Sequence, residues 1–353
     1  MRQFDSSAQT NGYPPETWSS EPSTLAGVPP MGATPPQVLA RDAAAGQRGA
    51  AWRLLYLIIE NDPRAVEAVS ALPDAALAEN LLEFIALGTW AGKPFVIPPP
   101  LRSPYARTRL RTLFVSPSGI ARERGERVLL TALHDRRTPV REAAIYLLGL
   151  VGSTAAVPDL VQALRDPQSS TRLQAAKALG RTGSPDAVPE LLNALSSADE
   201  QLGSQIFMAL VGLGHVAVPV LLNFAHSNSG WMRWHSLRAL GAIRDPRALP
   251  VLVNALQDSD HSVAWMTAKG LAPYGRECVE PVLRMLCSAS MTPWVVETAS
   301  YVLHTQCQNH SELKLYLDPL LQQMHQAGYR SGTGLTALKA LEQLQASGVL
   351  KQL

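Results

Sequence analysis

The chain has 353 residues, 46% of them hydrophobic and 17% charged, with 31 Lys and Arg against 29 Asp and Glu. That is ample for a core larger than one ordinary domain, and a formal charge of +2 excludes global polyelectrolyte character. Cys278, Cys287 and Cys307 are odd in number and lack metal or redox spacing, which argues against a disulfide framework and fits a reducing compartment. The first residues carry no apolar run of the signal-peptide kind, and no uncharged apolar stretch reaches the roughly 18 residues of a membrane span, so a soluble cytoplasmic protein is expected.

Residues 1–34 contain Pro14, Pro15, Pro22, Pro29 and Pro30 among Ser, Thr and Gly, too few aliphatics to offset ordering entropy, and are expected to be a disordered tail. Helical pattern starts at Thr34, a candidate N-cap before Pro35 and Pro36. Segments 36–46, 49–60, 63–71 and 74–90 read as helices of an N-terminal cap over 35–91. The run AAWRLLYLII is apolar nearly all round, as a buried helix is. Residues 92–121 form a Pro/Arg-rich linker, with five prolines between 91 and 105 predicting a long loop and helical pattern resuming over 105–114. Ten arginines lie between Arg102 and Arg141, opposed only by Glu123, Glu126 and Asp135: a candidate anion contact, or solvated loops and helix ends.

From 122 to 307 the chain repeats itself six times at a period of about 31. Pro158, Pro189, Pro219 and Pro250 mark corresponding points. A period of this size means stacked supersecondary units, each unable to bury its apolar face alone. Each unit predicts two helices. In the copy from Ala156, VPDLVQAL forms the first, Asp166-Pro167 breaks it, Ser169-Ser170 offers an N-cap, and TRLQAAKAL forms the second, stopped by Gly180. Leu148-Gly149 and Leu240-Gly241 are expected to be the same stop, and Leu271-Ala272 before Pro273 its variant. Residues 308–353 predict capping helices over 311–327 and 335–346.

The unit VPxLxxAL…D…VRxxAAxALG, present at 156–180 and 125–149, resembles the short HEAT-like repeat of the phycobilin-lyase type. Its Arg at the start of the second helix is Arg141, Arg172 and Arg233, but Ala264 and Val295 in later copies. The resemblance implies an all-α fold, an α-α superhelix with the helical N-terminal cap. It also points to bilin-attachment proteins, a di-iron hydroxylase, DNA glycosylases of related build and plain scaffolds. None of the eight His is followed by Glu, which argues against the di-iron branch. Trp234 and Trp265 lack an acidic neighbour on their face, which argues against the glycosylase branch. No Walker loop, GxSxG, HExxH or CxxC occurs, so no catalytic residue, metal or cofactor is predicted.

Aligning second helices on the Leu-Gly pair gives columns. Core columns hold Ala144, Ala175, Ser236 and Thr267, then Ile145, Ala176, Leu237 and Ala268. Outward columns read Glu142, Leu173, Ser204, Trp234, Trp265 and Val296; Ala143, Gln174, Gln205, His235, Met266 and Glu297; and Tyr146, Lys177, Met208, Arg238, Lys269 and Ser300. Trp294 falls in a core column with Val140, Met232 and Val263, and Trp231 sits at a helix start. Second helices line the concave side of such superhelices, the usual binding face. Trp234 and Trp265, one repeat apart and flanked by Lys177, Arg238 and Lys269, with His235 and Met266 beside them, are therefore the candidate partner site; otherwise the two tryptophans pack as core. The expected function is a non-catalytic scaffold binding an acidic protein or peptide, with no membrane partner. The first alternative is tetrapyrrole handling of the bilin-lyase kind, and the less favoured third is nucleic-acid binding through the arginine block.

Overall fold

The computed structural model describes residues 34–95, 101, 103–116, 119–288, 292–326 and 332–351. The expected tail falls outside them except for Thr34, as does Arg102 of the arginine block and most of the expected turn between the last two helices. The protein is an all-α superhelix. Among the described residues the only sheet is a two-stranded hairpin, β1 (Thr89–Trp90) against β2 (Lys93–Pro94).

Four helices open the chain: α1 (Pro36–Ala44), α2 (Arg48–Ile59), α3 (Pro63–Ala71) and α4 (Ala76–Leu87). Pro35, not Thr34, is the N-cap of α1, and it offers no side-chain cap. The hairpin returns Trp90 into this group. Its ring is wholly buried against Phe84 and Phe95, and its indole N–H donates to the Ala43 carbonyl at 3.0 Å. The helix expected over 105–114 is α5 (Pro104–Val115), whose first turn is capped by the Ser103 hydroxyl accepting from the Ala106 N–H. Proline at the first helical position needs no hydrogen bond there, which is why Pro104 starts a helix instead of preventing one.

Six helix pairs follow: α6 (Arg122–Ala132) with α7 (Thr138–Val151), α8 (Val157–Ala163) with α9 (Ser169–Leu179), α10 (Ala187–Leu195) with α11 (Glu200–Leu213), α12 (Val218–Phe224) with α13 (Gly230–Ile243), α14 (Leu249–Asn254) with α15 (His261–Leu271), and α16 (Val279–Ser288) with α17 (Pro293–Asn309). Helix α4 packs on α7 at one end of the array, and α19 (Thr333–Ser347) packs on α16 and on α18 (Lys314–Met324) at the other. A single apolar core runs from the first helices to the last.

Two of the expected stops hold: α9 ends at Leu179 with Gly180 as its C-cap, at a right-handed φ of −63°, and α15 ends at Leu271 before Ala272. Gly149 and Gly241 instead lie inside α7 and α13. Their function is contact. A Cβ on Gly149 would stand 2.8 Å from the Cα of Ala178, one on Gly180 2.7 Å from that of Ala209, and one on Gly241 2.8 Å from that of Gly270. In the first five repeats the turn that reverses the chain carries one positive φ, on Gly152, Gly183, Gly214, Arg244 or Gly275.

This glycine seam brings the second helices closer together along the array than the first helices come to each other, so the array curves with its second helices inside. The seam loosens once, where Val211 takes the glycine position and α11 stands further from α13. A second device links the units. Arg141 donates to its own loop carbonyls on Asp135 and Arg136 and reaches Asp166 of the next repeat at 3.1 Å. Arg233 does the same with Ser227, Asn228 and Asp258, the last at 2.7 Å. Arg172 binds the loop carbonyls of Asp166 and Pro167 and approaches Asp199 at 3.8 Å. The expected Ser169-Ser170 cap is absent. Gln168 precedes α9 without a cap, and the Ser170 hydroxyl donates to Glu142 of the preceding repeat.

Candidate partner-binding face

Residues on the inner surface follow from the helical period: those at i, i+3 or i+4, and i+7 on each second helix lie opposite the buried stripe. The core columns are buried at Ala144, Ala175, Ser236 and Thr267 and at Ile145, Ala176, Leu237 and Ala268. The outward columns hold for the first five repeats and shift at the sixth. Helix α17 begins 32 residues after α15, and its buried set Val295, Val296, Ala299, Ser300 and Leu303 matches Val263, Ala264, Thr267, Ala268 and Leu271 at that spacing. Val296 and Ser300 are therefore core. Glu297 stands in the column of Trp265, and Tyr301 in that of Lys269. Trp294, expected in the core, is 44% exposed.

The inner face of α13, α15 and α17 is aromatic. Trp231 and Trp294 are exposed, and Trp234, Trp265, Met266 and Tyr301 are half-buried with one side in solvent. The tryptophans of the candidate site are thus neither sealed between repeats nor fully free. Each carries its cation. The Arg238 guanidinium lies 5.3 Å from the Trp234 ring centroid and 3.9 Å from that of Phe207, in the gap where the seam loosens. Lys269 Nζ lies 5.5 Å from the Trp265 ring, which also packs on Tyr301 at 5.0 Å. Such pairs hold a ring and a charge at the surface together. Lys177, two repeats before Arg238, is exposed on the same face but is not part of this cluster.

His235 is wedged between Trp231 and Trp234, at 4.3 and 4.7 Å between ring centroids. Burial, helped by the Arg238 charge, pushes its pKa down to about 4, so the imidazole is neutral near pH 7. Further along, His261 stands 5.6 Å from the Trp294 ring and 3.4 Å from the Glu297 carboxylate.

Sequence reasoning missed Phe207, Tyr301 and Trp294 as parts of this face. For Tyr301 and Trp294 the only available signal was the extra residue before α17. It also missed Arg111, which reaches from α5 to lie 5.0 Å over the Tyr146 ring, so that a cation–ring contact opens the inner face too. A second unforeseen feature is a cavity of about 790 Å³ between α4 and the first repeat, lined by Glu79, Glu83, His134, Asp135 and Arg137 among others. Burial raises the pKa of Glu83, but the Gly92 N–H and Arg137 more than offset it, and its carboxyl stays below the usual range.

The arginine block is partly consumed within the protein. Arg124 donates to the Leu72 carbonyl, Arg137 bridges Glu83 and Asp135, Arg141 serves the inter-repeat link, and Arg111 covers Tyr146. No single described helix is long and apolar enough to cross a membrane. Among the described residues no group of three or more His, Cys, Asp and Glu is placed to hold a metal ion.

Comparison with known proteins gives the following. The family model for HEAT repeats matches residues 126–211, 188–272 and 218–304. The phycocyanobilin lyase subunit beta of Nostoc sp. is 50% identical over 64 residues, 18% of this chain and 32% of the relative, so the chain matches about a third of that protein's length. Among solved structures, the complex of CpcE and CpcF of phycocyanin lyase from Nostoc sp. aligns with 80% of this chain and 94% of its own at 17% identity and a TM-score of 0.29. A Kap95:Nup1 complex aligns with 90% of this chain and 47% of its own at 15% identity and a TM-score of 0.43.

Proposed function

The chain belongs to the HEAT-repeat family, and from that premise we propose that it is a non-catalytic scaffold whose inner face binds a protein or peptide partner of acidic character. One observation carries this reading: two indoles one repeat apart, Trp234 and Trp265, each half-exposed and each with a cation set against its ring. Aromatic anchors backed by cations favour an apolar segment that also carries carboxylates. Lys177 extends the positive character toward the first repeats, His235 packs against Trp234, and Met266 follows Trp265 on α15. Three cysteines without a disulfide fit a cytoplasmic setting. Internal use of Arg111, Arg124, Arg137 and Arg141 weighs against the nucleic-acid reading.

The test compares proteins captured from a lysate of the source organism, identified by mass spectrometry, on wild type, Trp234→Ala and Trp265→Ala columns. Circular dichroism confirms that the variants are folded. Loss of a desolvated Trp anchor typically costs about 2–4 kcal/mol of binding, roughly 30- to 1,000-fold in affinity. An identical captured set on all three columns would refute the reading.

The 50% identity to a phycocyanobilin lyase subunit favours a second reading, tetrapyrrole handling. Propionates would pair with Arg238 and Lys269, and the ring system would lie on the indoles. Added phycocyanobilin should then change its visible absorption on wild type and not on Trp265→Ala.

A further inference from the structure

The aromatic face is wider than Trp234 and Trp265 with their cations. Three consecutive second helices, α13, α15 and α17, present Trp231, Trp234, Trp265, Trp294 and Tyr301 inward, with Trp231 37% and Trp294 44% exposed. Flat rings at helix spacing form the kind of surface that receives proline-rich peptides, whose polyproline II form is preformed and loses little entropy on docking. Neighbouring packed helices stand about 8–10 Å apart, so the strip from α13 to α17 is roughly 16–20 Å long.

We propose that the occupant of this strip is the chain's own N-terminal segment, residues 1–33; this rests on the reading of the inner face as a binding site and names a ligand for it. The first argument is composition. The segment holds Pro14, Pro15, Pro22, Pro29 and Pro30, with Trp18 and Tyr13 among them. Pro15 and Pro22 stand seven apart, about 22 Å in polyproline II at roughly 3.1 Å per residue, close to the length of the strip. The second argument is charge. The segment carries Asp5, Glu16 and Glu21 against Arg2 alone, and Glu16 and Glu21 flank Trp18. The strip offers Arg238 and Lys269, each held at an indole face. The third is reach. The segment joins α1 in the group that packs on α7 through α4, and α9, α11 and α13 follow. Those four helix spacings come to roughly 40 Å, and the 16 residues from Trp18 to Thr34 span up to about 55 Å when extended. Tethering raises the effective concentration of such a segment to the millimolar range, so weak ring contacts suffice.

The experiment uses the full chain with Trp18→p-benzoylphenylalanine, irradiated at low protein concentration, with crosslinks mapped by mass spectrometry. The expected result is an intramolecular crosslink concentrated on 230–243, 261–271 and 293–309. Its yield should fall at least fivefold with Glu16→Lys plus Glu21→Lys, variants in the segment itself that leave the folded array untouched. Crosslinks spread over the surface, absent, intermolecular, or unchanged by the charge reversal would overturn the proposal. Should crosslinks miss the strip while Trp265→Ala still abolishes partner capture, the segment is excluded and the partner reading stands. If they mark the strip while Trp265→Ala spares capture, the segment is the occupant and the partner binds elsewhere.

Discussion

Repeats one to three and repeats four to six are built on the same seam and turn different chemistry inward. In the first half the inner columns read Glu142, Leu173 and Ser204, then Tyr146, Lys177 and Met208, and each second helix carries the Arg that ties neighbouring loops or, in α11, none at all. In the second half they read Trp234, Trp265 and Glu297, then Arg238, Lys269 and Tyr301, and the tie ends after Arg233, with Ala264 and Val296 buried in its place. The two halves meet where Val211 loosens the seam and Arg238 lies over Phe207. Small residues at the helix contacts are common to both, so they set the superhelix. The inner columns are under no such constraint and are where binding chemistry can differ from repeat to repeat.

The sharpest way to break this division is to charge one residue on each side of a single helix. Ala176 is wholly buried and Lys177 exposed. Ala176→Asp should destabilise by several kcal/mol through an unpaired buried carboxylate, while Lys177→Asp should stay within about 0.5 kcal/mol. Equal shifts in urea melts would mean that seam and inner face are not separable.

The seam itself is tested at Gly241. In an exposed helix, Gly→Ala stabilises by roughly 1 kcal/mol. Here the new Cβ would meet the Gly270 Cα at 2.8 Å, backbone that cannot rotate away. Gly241→Ala should therefore destabilise by about 1–3 kcal/mol, the range for overpacking. A gain in stability would show that the seam can open without loss.

The two halves also differ in pH response through His235. Its pKa in the folded chain, about 4, lies below the ordinary value of 6.5. Between these values the unfolded state binds more protons, so stability is fully present above pH 6.5 and falls as the pH drops toward 4, by about 1–3 kcal/mol. His235→Gln should flatten that slope in melts from pH 7 to pH 4.5. An unchanged slope would place the titration elsewhere.

How much of this was legible depended on whether period or local geometry decided the outcome. The buried columns followed from period alone, because a 31-residue repeat fixes which side of every second helix faces its neighbour. Trp294 escaped because one residue before α17 moves the column by one, and a one-residue shift on a helix turns a side chain through about 100°. Gly149 and Gly241 were read as stops because glycine after leucine suits a helix end as well as a helix crossing, and only the neighbour's backbone tells which. The candidate cluster was half legible. Trp234 with Arg238 and Trp265 with Lys269 are i, i+4 pairs on one helix, which sequence specifies. Phe207 and Tyr301 come from other helices and needed the fold.

The smallest expected effect concerns the turns that follow the first five second helices. Four of the five positions with positive φ are glycine, at 152, 183, 214 and 275, and the fifth is Arg244 at φ 58°. Its N–H closes the turn to the Leu240 carbonyl at 3.1 Å in the same left-handed conformation by which Gly152 closes to Leu148, whereas Gly214 and Gly275 pair their positive φ with ψ near −140°. A Cβ in that conformation costs roughly 1–2 kcal/mol. Glycine removes the cost but gives the unfolded chain more freedom, worth about 0.5–1 kcal/mol. The balance for Arg244→Gly is a gain of about 0.5–1 kcal/mol, read as a higher urea midpoint at unchanged slope. Arg244 lies at the end of α13, beyond the aromatic strip, so partner capture should not change. A loss of stability would mean that the arginine side chain holds contacts that outweigh its strain, and that this junction differs from the one at Gly152 in more than its residue.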